Sequence, residues 1–266
     1  MEMEKDRRKK RIRTHQFVLV AMLSALCVVC NEICVHTLPL HAGTAIVIIA
    51  GLTLGKKSGF AVGCLSRFIC NIFDGQGAWT LWQMIAWGLL GVVAGAVFYQ
   101  AERRKNWEPN PQFLSKKNFL GQWQEGGILP VICVLFAWLI AYIVCLLRFN
   151  SANFIGWRLY FYGAIGWIAG FLLNRKKLPV TPFTMAMVTF FSVFFLYGGI
   201  MNLGTLFFQA MVHQTTKSVN MENLKLLYLS GAPYDFLHAI CAAICIFLFG
   251  DSMVQKIVRI QTKFGW

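Results

Sequence analysis

The chain has 266 residues, of which 57% are hydrophobic and 14% are charged, and its formal net charge is +14. A soluble domain of this length has too little interior to bury so many apolar side chains, so the composition excludes an ordinary soluble globular protein. It predicts a chain that lies in a lipid bilayer, where each crossing needs about 20 mostly apolar residues in a helix.

Hydrophobic segments follow one another along the chain and predict an all-α, polytopic integral membrane helical bundle. Eight are identified, at residues 17–38, 42–54, 58–73, 82–100, 128–147, 157–173, 181–208 and 233–250. The second and third are short and are joined only by GKKSG, so they predict a hairpin of short helices. Polar segments divide the chain into a tail at 1–16, a membrane core at 17–100, a loop at 101–127, a helix pair at 128–173, a second core part at 179–254 and a tail at 255–266.

The distribution of Lys and Arg predicts that both ends of the chain and the 101–127 loop are cytoplasmic. With that orientation, the inside segments carry 20 of the 25 basic residues and the outside segments carry three. This bias follows the positive-inside rule for an even number of crossings. The basic tail favours an orientation signal beside anionic lipid over a nucleic-acid arm. The apolar stretch after it, 17–38, is longer than the hydrophobic region of a signal peptide, so we expect the tail to be retained.

Two repeated patterns in the apolar segments have structural explanations. Cys27, Cys30 and Cys34 have a spacing that metal sites use, but no second Cys/His cluster is evident, so simple packing is favoured and no metal site is predicted. The sequences WGLLGVVAG (87–95) and YGAIGWIAG (162–170) share their small residues at an offset of 75. This similarity favours close helix packing over an internal duplication.

Polar residues from distant parts of the chain fall near the outer membrane face in this topology. Polar groups inside spans usually face a cavity or another helix, so they predict a water-accessible solute pocket with aromatic walls. The candidate site residues are Asn71, Asp74, Gln76, Trp79, Trp82, Gln83, Tyr197, Asn202, Tyr234, Asp235 and His238. Asn31, Glu32, His36 and His41 lie at the same face.

Several of these residues also have a structural interpretation. Trp79 and Trp82 are typical of an interfacial aromatic belt, and His238 or Asp235 is interpreted as a helix-start group that is satisfied locally. Arg67 is interpreted as a structural residue that extends along its helix or pairs with Glu32.

The segment GQGAWTLWQM (75–84) resembles the GQGxWTxWQM signature of substrate-binding S components of energy-coupling factor (ECF) transporters. Three further segments are similar to parts of those proteins: AMLSA (21–25), YGGIMN (197–202) and GAPYDFLHAI (231–240). S components usually have six spans, so the resemblance implies a six-helix core, with residues 128–173 as an inserted helix pair.

The resemblance implies a membrane subunit that captures a vitamin or related micronutrient, cobalamin or a precursor first, without a cofactor of its own. Its implied partners in the cell membrane are a transmembrane T subunit, which contacts Ala21 and Ala25, and two cytoplasmic ATPases. We expect Trp79 or Trp82 to stack on the flat ring of the solute, and Asp74, Gln76 and Gln83 to select its polar edge.

Two other functions remain open. The chain has no G-x-x-x-x-G-K-[ST] motif, so its energy comes from a partner or from an ion gradient. A self-contained secondary transporter would relay protons through Glu32, Asp235 or His238. An intramembrane metalloenzyme using Glu32, His36, His41 and His238 is disfavoured, because H-E-x-x-H and G-x-S-x-G are absent and no catalytic residue is identified.

Overall fold

The computed structural model describes residues 2–37, 42–98, 128–149, 156–173, 178, 180–212 and 220–264. These ranges are helical and contain no strand, which confirms the all-α prediction. The helices are α1 (Glu2–Thr37), α2 (Ala42–Leu54), α3 (Lys56–Asp74), α4 (Trp79–Val97), α5 (Ile128–Phe149), α6 (Trp157–Leu173), α7 (Pro182–Phe191), α8 (Gly198–Val212) and α9 (Met221–Lys263), with a π-helical stretch at Ser192–Tyr197 between α7 and α8. The predicted loop at 101–127 lies outside the described ranges.

Five segments in the described ranges are long and apolar enough to cross a membrane. They are Arg13–Cys34, Trp79–Val97, Leu129–Leu147, Pro182–Val212 and Met221–Lys263. At about 1.5 Å per residue, the 43-residue α9 is about 64 Å long, twice the bilayer's hydrocarbon thickness of about 30 Å, so its ends extend beyond the apolar layer. The polytopic membrane bundle is therefore confirmed.

The shorter helix α2 forms the centre of the bundle. Residues 43–54 are all buried, because α1, α3, α4 and α9 surround the helix. Gly55 joins α2 to α3 with a φ of 91°, a conformation that side chains rarely adopt. The predicted hairpin of short helices is thus present.

Glycines allow the helices of this core to touch through their backbones. A Cβ atom on Gly59 would lie 2.8 Å from the carbonyl oxygen of Gly91, and one on Gly95 would lie 2.6 Å from the backbone nitrogen of Lys56. The second glycine-rich helix does the same, since a Cβ on Gly166 in α6 would lie 2.6 Å from the carbonyl oxygen of Cys133 in α5. Both sequence patterns therefore serve close packing against the preceding helix, as small residues do in membranes.

Three of the predicted cytoplasmic segments, the two chain ends and the α2–α3 turn, meet at one end of the bundle. His15 near the start of α1 stacks on Phe264 just after α9, with ring centroids 5.2 Å apart. Gln261 of α9 donates to the carbonyl oxygen of Thr53 at the end of α2. The two chain ends and the α2–α3 turn thus share one side, as the basic-residue count requires. Its assignment to the cytoplasm stays a prediction.

Candidate solute-binding site

The corner between α3 and α4 holds a buried arginine. Arg67 is 8% exposed, and its Nε donates to Oε1 of Gln83 at 3.0 Å. Its Nη2 donates to Oδ2 of Asp74 at 3.2 Å, and its guanidinium lies 5.5 Å from the ring of Trp87. Asn71 is fully buried and donates to the same Gln83 oxygen at 2.8 Å. We call these five residues the Arg67 cluster.

The ion pair of Arg67 bears on the two possibilities that the sequence left open, extension along its own helix or pairing with Glu32. Arg67 pairs with Asp74, on the same helix two turns later, so its side chain extends along α3. Asp74 is the last residue of α3, and Gly75, with a φ of 102°, begins the turn that follows it. The side chain of Asp74 is 26% exposed, so the pair reaches towards solvent at this end.

Three buried polar atoms near Arg67 have no hydrogen-bond partner among the described residues. They are Oδ1 of Asn31, Oδ1 of Asn71 and Nε1 of Trp87. Asn31 belongs to this region because its Nδ2 lies 3.7 Å from the sulfur of Cys70. Leaving a buried polar atom unsatisfied costs about 1 to 3 kcal/mol, so a water molecule or a solute group that paired with these atoms would be stabilising.

The signature tryptophans pack against α8. Trp82 lies parallel to Phe207, with ring centroids 5.8 Å apart, and Trp79 meets Phe208 edge-on at 5.7 Å. Gly204 makes room for Trp82, since a Cβ there would lie 2.7 Å from its Cγ. One face of Trp82 is therefore covered, whereas Trp79 remains 39% exposed. Gln76 is exposed in the preceding turn and donates to the carbonyl oxygen of Phe68 at 3.2 Å.

A second buried polar group joins α6, α8 and α9. Asp235 is 4% exposed, and its Oδ2 accepts from the hydroxyl of Tyr160 at 2.6 Å and from Nδ2 of Asn202 at 2.8 Å. We call these three residues the Asp235 cluster. Gly198 fits directly against it, because a Cβ there would lie 2.6 Å from Cγ of Asp235. A carboxylate is tolerated at such burial only with hydrogen bonds of this kind.

His238 links α9 to the central helix. Its Nε2 lies 3.0 Å from the hydroxyl of Thr44 at the start of α2, and its ring meets Tyr197 edge-on at 4.7 Å. Tyr234, one turn earlier, is 55% exposed and lies 6.5 Å from His238. The helix-start interpretation of Asp235 is wrong, because α9 begins at Met221, nearly four turns earlier.

The two clusters lie near the same end of the bundle. Arg67 is within electrostatic range of the hydroxyls of Tyr197 and Tyr234, which come from the opposite helices. Trp82 contacts Gly204 two residues after Asn202, so α8 borders both clusters. The structure thus brings together residues that are more than 100 positions apart in sequence, and it adds Thr44, Arg67, Trp87 and Tyr160 to those identified from the sequence alone.

Other features of the described residues do not contribute to this site. No group of three or more His, Cys, Asp and Glu residues there is arranged to hold a metal ion. His41 and the side chain of His36 lie outside the described part of the chain. A cavity of about 490 Å³ lies among α5, α7 and α9, but it is lined by apolar residues such as Phe190 and Phe247 and contains none of the candidate site residues.

The two alanines of α1 face away from the bundle. Ala21 and Ala25 are exposed, as are Phe17, Met22 and Val29 on the same helix. The opposite side of α1 is buried against α2 and α3, where the thiol of Cys27 donates to the carbonyl oxygen of Gly43 at 3.2 Å. The outward side of α1 is therefore an apolar surface on which the two alanines lie among larger side chains.

Comparison with known families decides the identity of this fold. The sequence model of the ECF-type riboflavin transporter, S component, matches residues 11–156, which is more than half of the chain. The chain belongs to this S-component family. Neither a curated protein nor a solved structure matches it significantly. The match confirms the resemblance carried by the GQGAWTLWQM segment and makes this S component a substrate-binding transport subunit of the membrane rather than a member of an enzyme family.

The family match covers the two sides of the site unequally. It includes the whole Arg67 cluster and continues through α5. Tyr160, Asn202, Asp235 and His238 lie beyond its end. The sequence could have identified Arg67 as a site residue rather than a structural one, since an ionisable residue inside an apolar segment marks a functional site by default. Tyr160 carried no such signal, because a tyrosine in an apolar helix is common.

Proposed function

We propose that this S component binds a flat, heteroaromatic vitamin at the outer end of the bundle. The Arg67 cluster is the observation that carries the proposal. It offers a guanidinium, a buried amide oxygen and a buried indole N–H within one region, and Trp79, about one turn before Gln83 on α4, has a partly exposed ring. Such a set of donors and acceptors beside an aromatic surface suits a planar ring whose edge carries carbonyl and N–H groups.

Riboflavin is the first candidate solute, and cobalamin or a precursor is the second. The family that matches the chain is described by riboflavin transport, whereas the signature resemblance favours cobalamin. The isoalloxazine ring of riboflavin is planar, and one edge alternates carbonyl acceptors with an N–H donor. Arg67 would donate to a carbonyl, Asn71 would accept from the N–H, and Trp79 would cover the ring face.

Partner proteins would supply the energy for import. We place the contact with the transmembrane T subunit on the outward side of α1, where the exposed Ala21 and Ala25 let another helix approach closely. Two cytoplasmic ATPases would complete the transporter. The basic end of the bundle, with exposed Lys56, Lys57 and Arg259, would face them.

The binding proposal is tested with purified protein and two probes, riboflavin and cyanocobalamin. Titration with each probe, followed by flavin or tryptophan fluorescence, gives the affinity. Asn71→Ala and Trp79→Ala should each weaken riboflavin binding by about five- to a hundredfold, as expected for about 1 to 3 kcal/mol. Leu81→Ala is the matched control, because Leu81 lies in the same helix and is 62% exposed.

The outcomes separate the parts of this proposal. Tight binding of cyanocobalamin without riboflavin binding would transfer the assignment to the second candidate. Binding of neither probe would contradict the vitamin assignment. Parental affinity in both Asn71→Ala and Trp79→Ala would place the solute elsewhere in the protein.

A proton-coupled transporter is retained as the alternative because Asp235 and His238 are buried ionisable residues in a spanning helix, 4% and 2% exposed. Uptake of radiolabelled riboflavin is measured in cells with and without the T subunit and ATPases. Uptake that requires them supports the proposed subunit role. Uptake that continues without them and stops when the proton gradient is abolished would support the alternative.

A further inference from the structure

The α5–α6 hairpin contributes one side chain to the polar groups at the outer end of the bundle. Tyr160, in the first turn of α6, is 3% exposed and donates its hydroxyl to Oδ2 of Asp235 at 2.6 Å. This is the region that the sequence marks as additional to a six-helix core. Its contact with α9 spans 75 positions in sequence.

The Asp235 cluster holds its carboxylate asymmetrically. The bonds from Tyr160 and Asn202 both end on Oδ2, so neither of them reaches Oδ1. Two donors on one oxygen fix the rotation of the carboxylate and therefore the direction of the other oxygen. Hydrogen bonds to a charged acceptor are about twice as strong as neutral ones, so this orientation is well determined.

Aromatic packing fixes Tyr160 in turn. Its ring stacks on Phe194 at 4.8 Å with an interplanar angle of 16°, and the edge of Tyr228 meets it at 4.9 Å. Phe194 belongs to the π-helical stretch that also carries Tyr197, which contacts His238. The ring of Tyr160 is thus held by the helices that border the site, and its hydroxyl has little freedom to turn away from Asp235.

We infer that Tyr160 is a positioning residue for solute binding, through which the α5–α6 hairpin orients the Asp235 carboxylate. This inference rests on the proposed function, because Asp235 is taken as part of the solute site. Tyr160 itself does not contact the solute. It acts by fixing the rotation of the Asp235 carboxylate, whose Oδ1 accepts neither of the two bonds.

Tyr228 provides a matched control for the loss of one hydroxyl. It is 8% exposed, contacts Tyr160, and donates its hydroxyl to the backbone carbonyl of Gly199 at 2.7 Å. Tyr228→Phe and Tyr160→Phe therefore remove the same group from neighbouring buried rings. Only Tyr160→Phe removes a hydrogen bond from the carboxylate of Asp235, which then keeps the bond from Asn202 alone.

The first measurement needs no solute. Thermal unfolding of purified parent, Tyr160→Phe, Asp235→Ala and the double variant forms a double-mutant cycle, in which alanine leaves no side-chain acceptor at position 235. If Tyr160 and Asp235 act as one unit, the double variant should have the midpoint of the less stable single variant. Additive losses of midpoint temperature would overturn the inference whether or not any probe binds.

The second measurement is riboflavin affinity of the same proteins, with Tyr228→Phe added. Tyr160→Phe should weaken binding about tenfold, as expected when a hydrogen bond to a charged group is lost, and Tyr228→Phe should change it less than about twofold. Asp235→Ala, which has no side-chain acceptor, should remove the difference between tyrosine and phenylalanine at position 160. Equal affinities of the two phenylalanine variants would overturn the inference.

The two measurements distinguish this inference from the proposed function. If the parent binds neither riboflavin nor cyanocobalamin, the proposed function fails, and the unfolding cycle alone decides whether Tyr160 holds Asp235. If the parent binds riboflavin and Asn71→Ala weakens it while Tyr160→Phe does not, the proposed function stands and the inference fails.

Discussion

Arg67→Lys tests the electrostatic core of the site while keeping its charge. In the structure the guanidinium reaches Gln83 and Asp74 with two different nitrogens and lies over the ring of Trp87. An ammonium group is a single point on a flexible stem, so it cannot bind both acceptors in this geometry. The substitution therefore removes the forked arrangement and leaves the positive charge.

The expected loss of affinity follows from the contacts that Arg67 makes in the structure. A hydrogen bond to a charged group contributes about 1.5 to 3 kcal/mol, and a desolvated cation–π contact contributes up to about 2 kcal/mol. If the lysine retains one of these contacts, the remaining loss corresponds to about a ten- to hundredfold weaker affinity for riboflavin. Asp74→Asn should have a smaller effect, below about fivefold, because its side chain is 26% exposed and such pairs contribute at most about 1 kcal/mol.

The assay is titration of each purified variant with riboflavin, with thermal unfolding measured in parallel. A loss of affinity in Arg67→Lys that exceeds the loss in Asp74→Asn supports the cluster as a binding element. Equal losses in both variants would refute the reasoning, because they would show that the ion pair with Asp74, rather than the bond to Gln83 and the contact with Trp87, determines binding. Unchanged affinity in Arg67→Lys would also refute it.

Two further predictions concern the partner contact and the packing of the core. Ala21→Trp and Ala25→Trp should abolish riboflavin uptake in cells that contain the partner subunits, while the affinity for riboflavin stays unchanged. Leu139→Trp is the control on α5, where Leu139 is 53% exposed, and it should change neither uptake nor affinity. Normal uptake in both alanine variants would contradict the contact. Gly91→Ala should lower the free energy of unfolding by about 1 to 3 kcal/mol, because its Cβ would collide with the backbone of Gly59. Gly199→Ala is the control: its Cβ would meet nothing within 4 Å, so it should be neutral or stabilising. Thermal midpoints compare the two variants, and equal midpoints would contradict the packing argument.

The helices were predictable from the sequence because a bilayer imposes a minimum length of apolar chain. The segments expected at 42–54 and 157–173 coincide with α2 and α6. The segments expected at 17–38 and 233–250 correspond to longer helices, since α1 begins at Glu2 and α9 extends from Met221 to Lys263. Hydropathy detects only the part of a helix that is apolar, so the polar turns at each end were not predicted.

The pairings within the site were not predictable in the same way. Sequence analysis identified Trp82, Gln83 and Asp235 as polar or aromatic residues near one face, but their partners depend on which helices touch. Phe207 covers Trp82, and Tyr160 reaches Asp235 across 75 positions. Neither contact follows from local spacing, because helix rotation and tilt in a bundle are set by packing with neighbouring helices.

A single helix connects the site with the proposed partner contact. Ala25 faces outwards on α1, and Asn31 on the same helix is fully buried beside the Arg67 cluster. Six residues separate them, which is about 9 Å along a helix axis. A helix of this length moves as a rigid body, so a tilt imposed at Ala25 also displaces Asn31. We therefore expect that docking of the partner on α1 alters the polar contacts of the solute, which is the change that release requires.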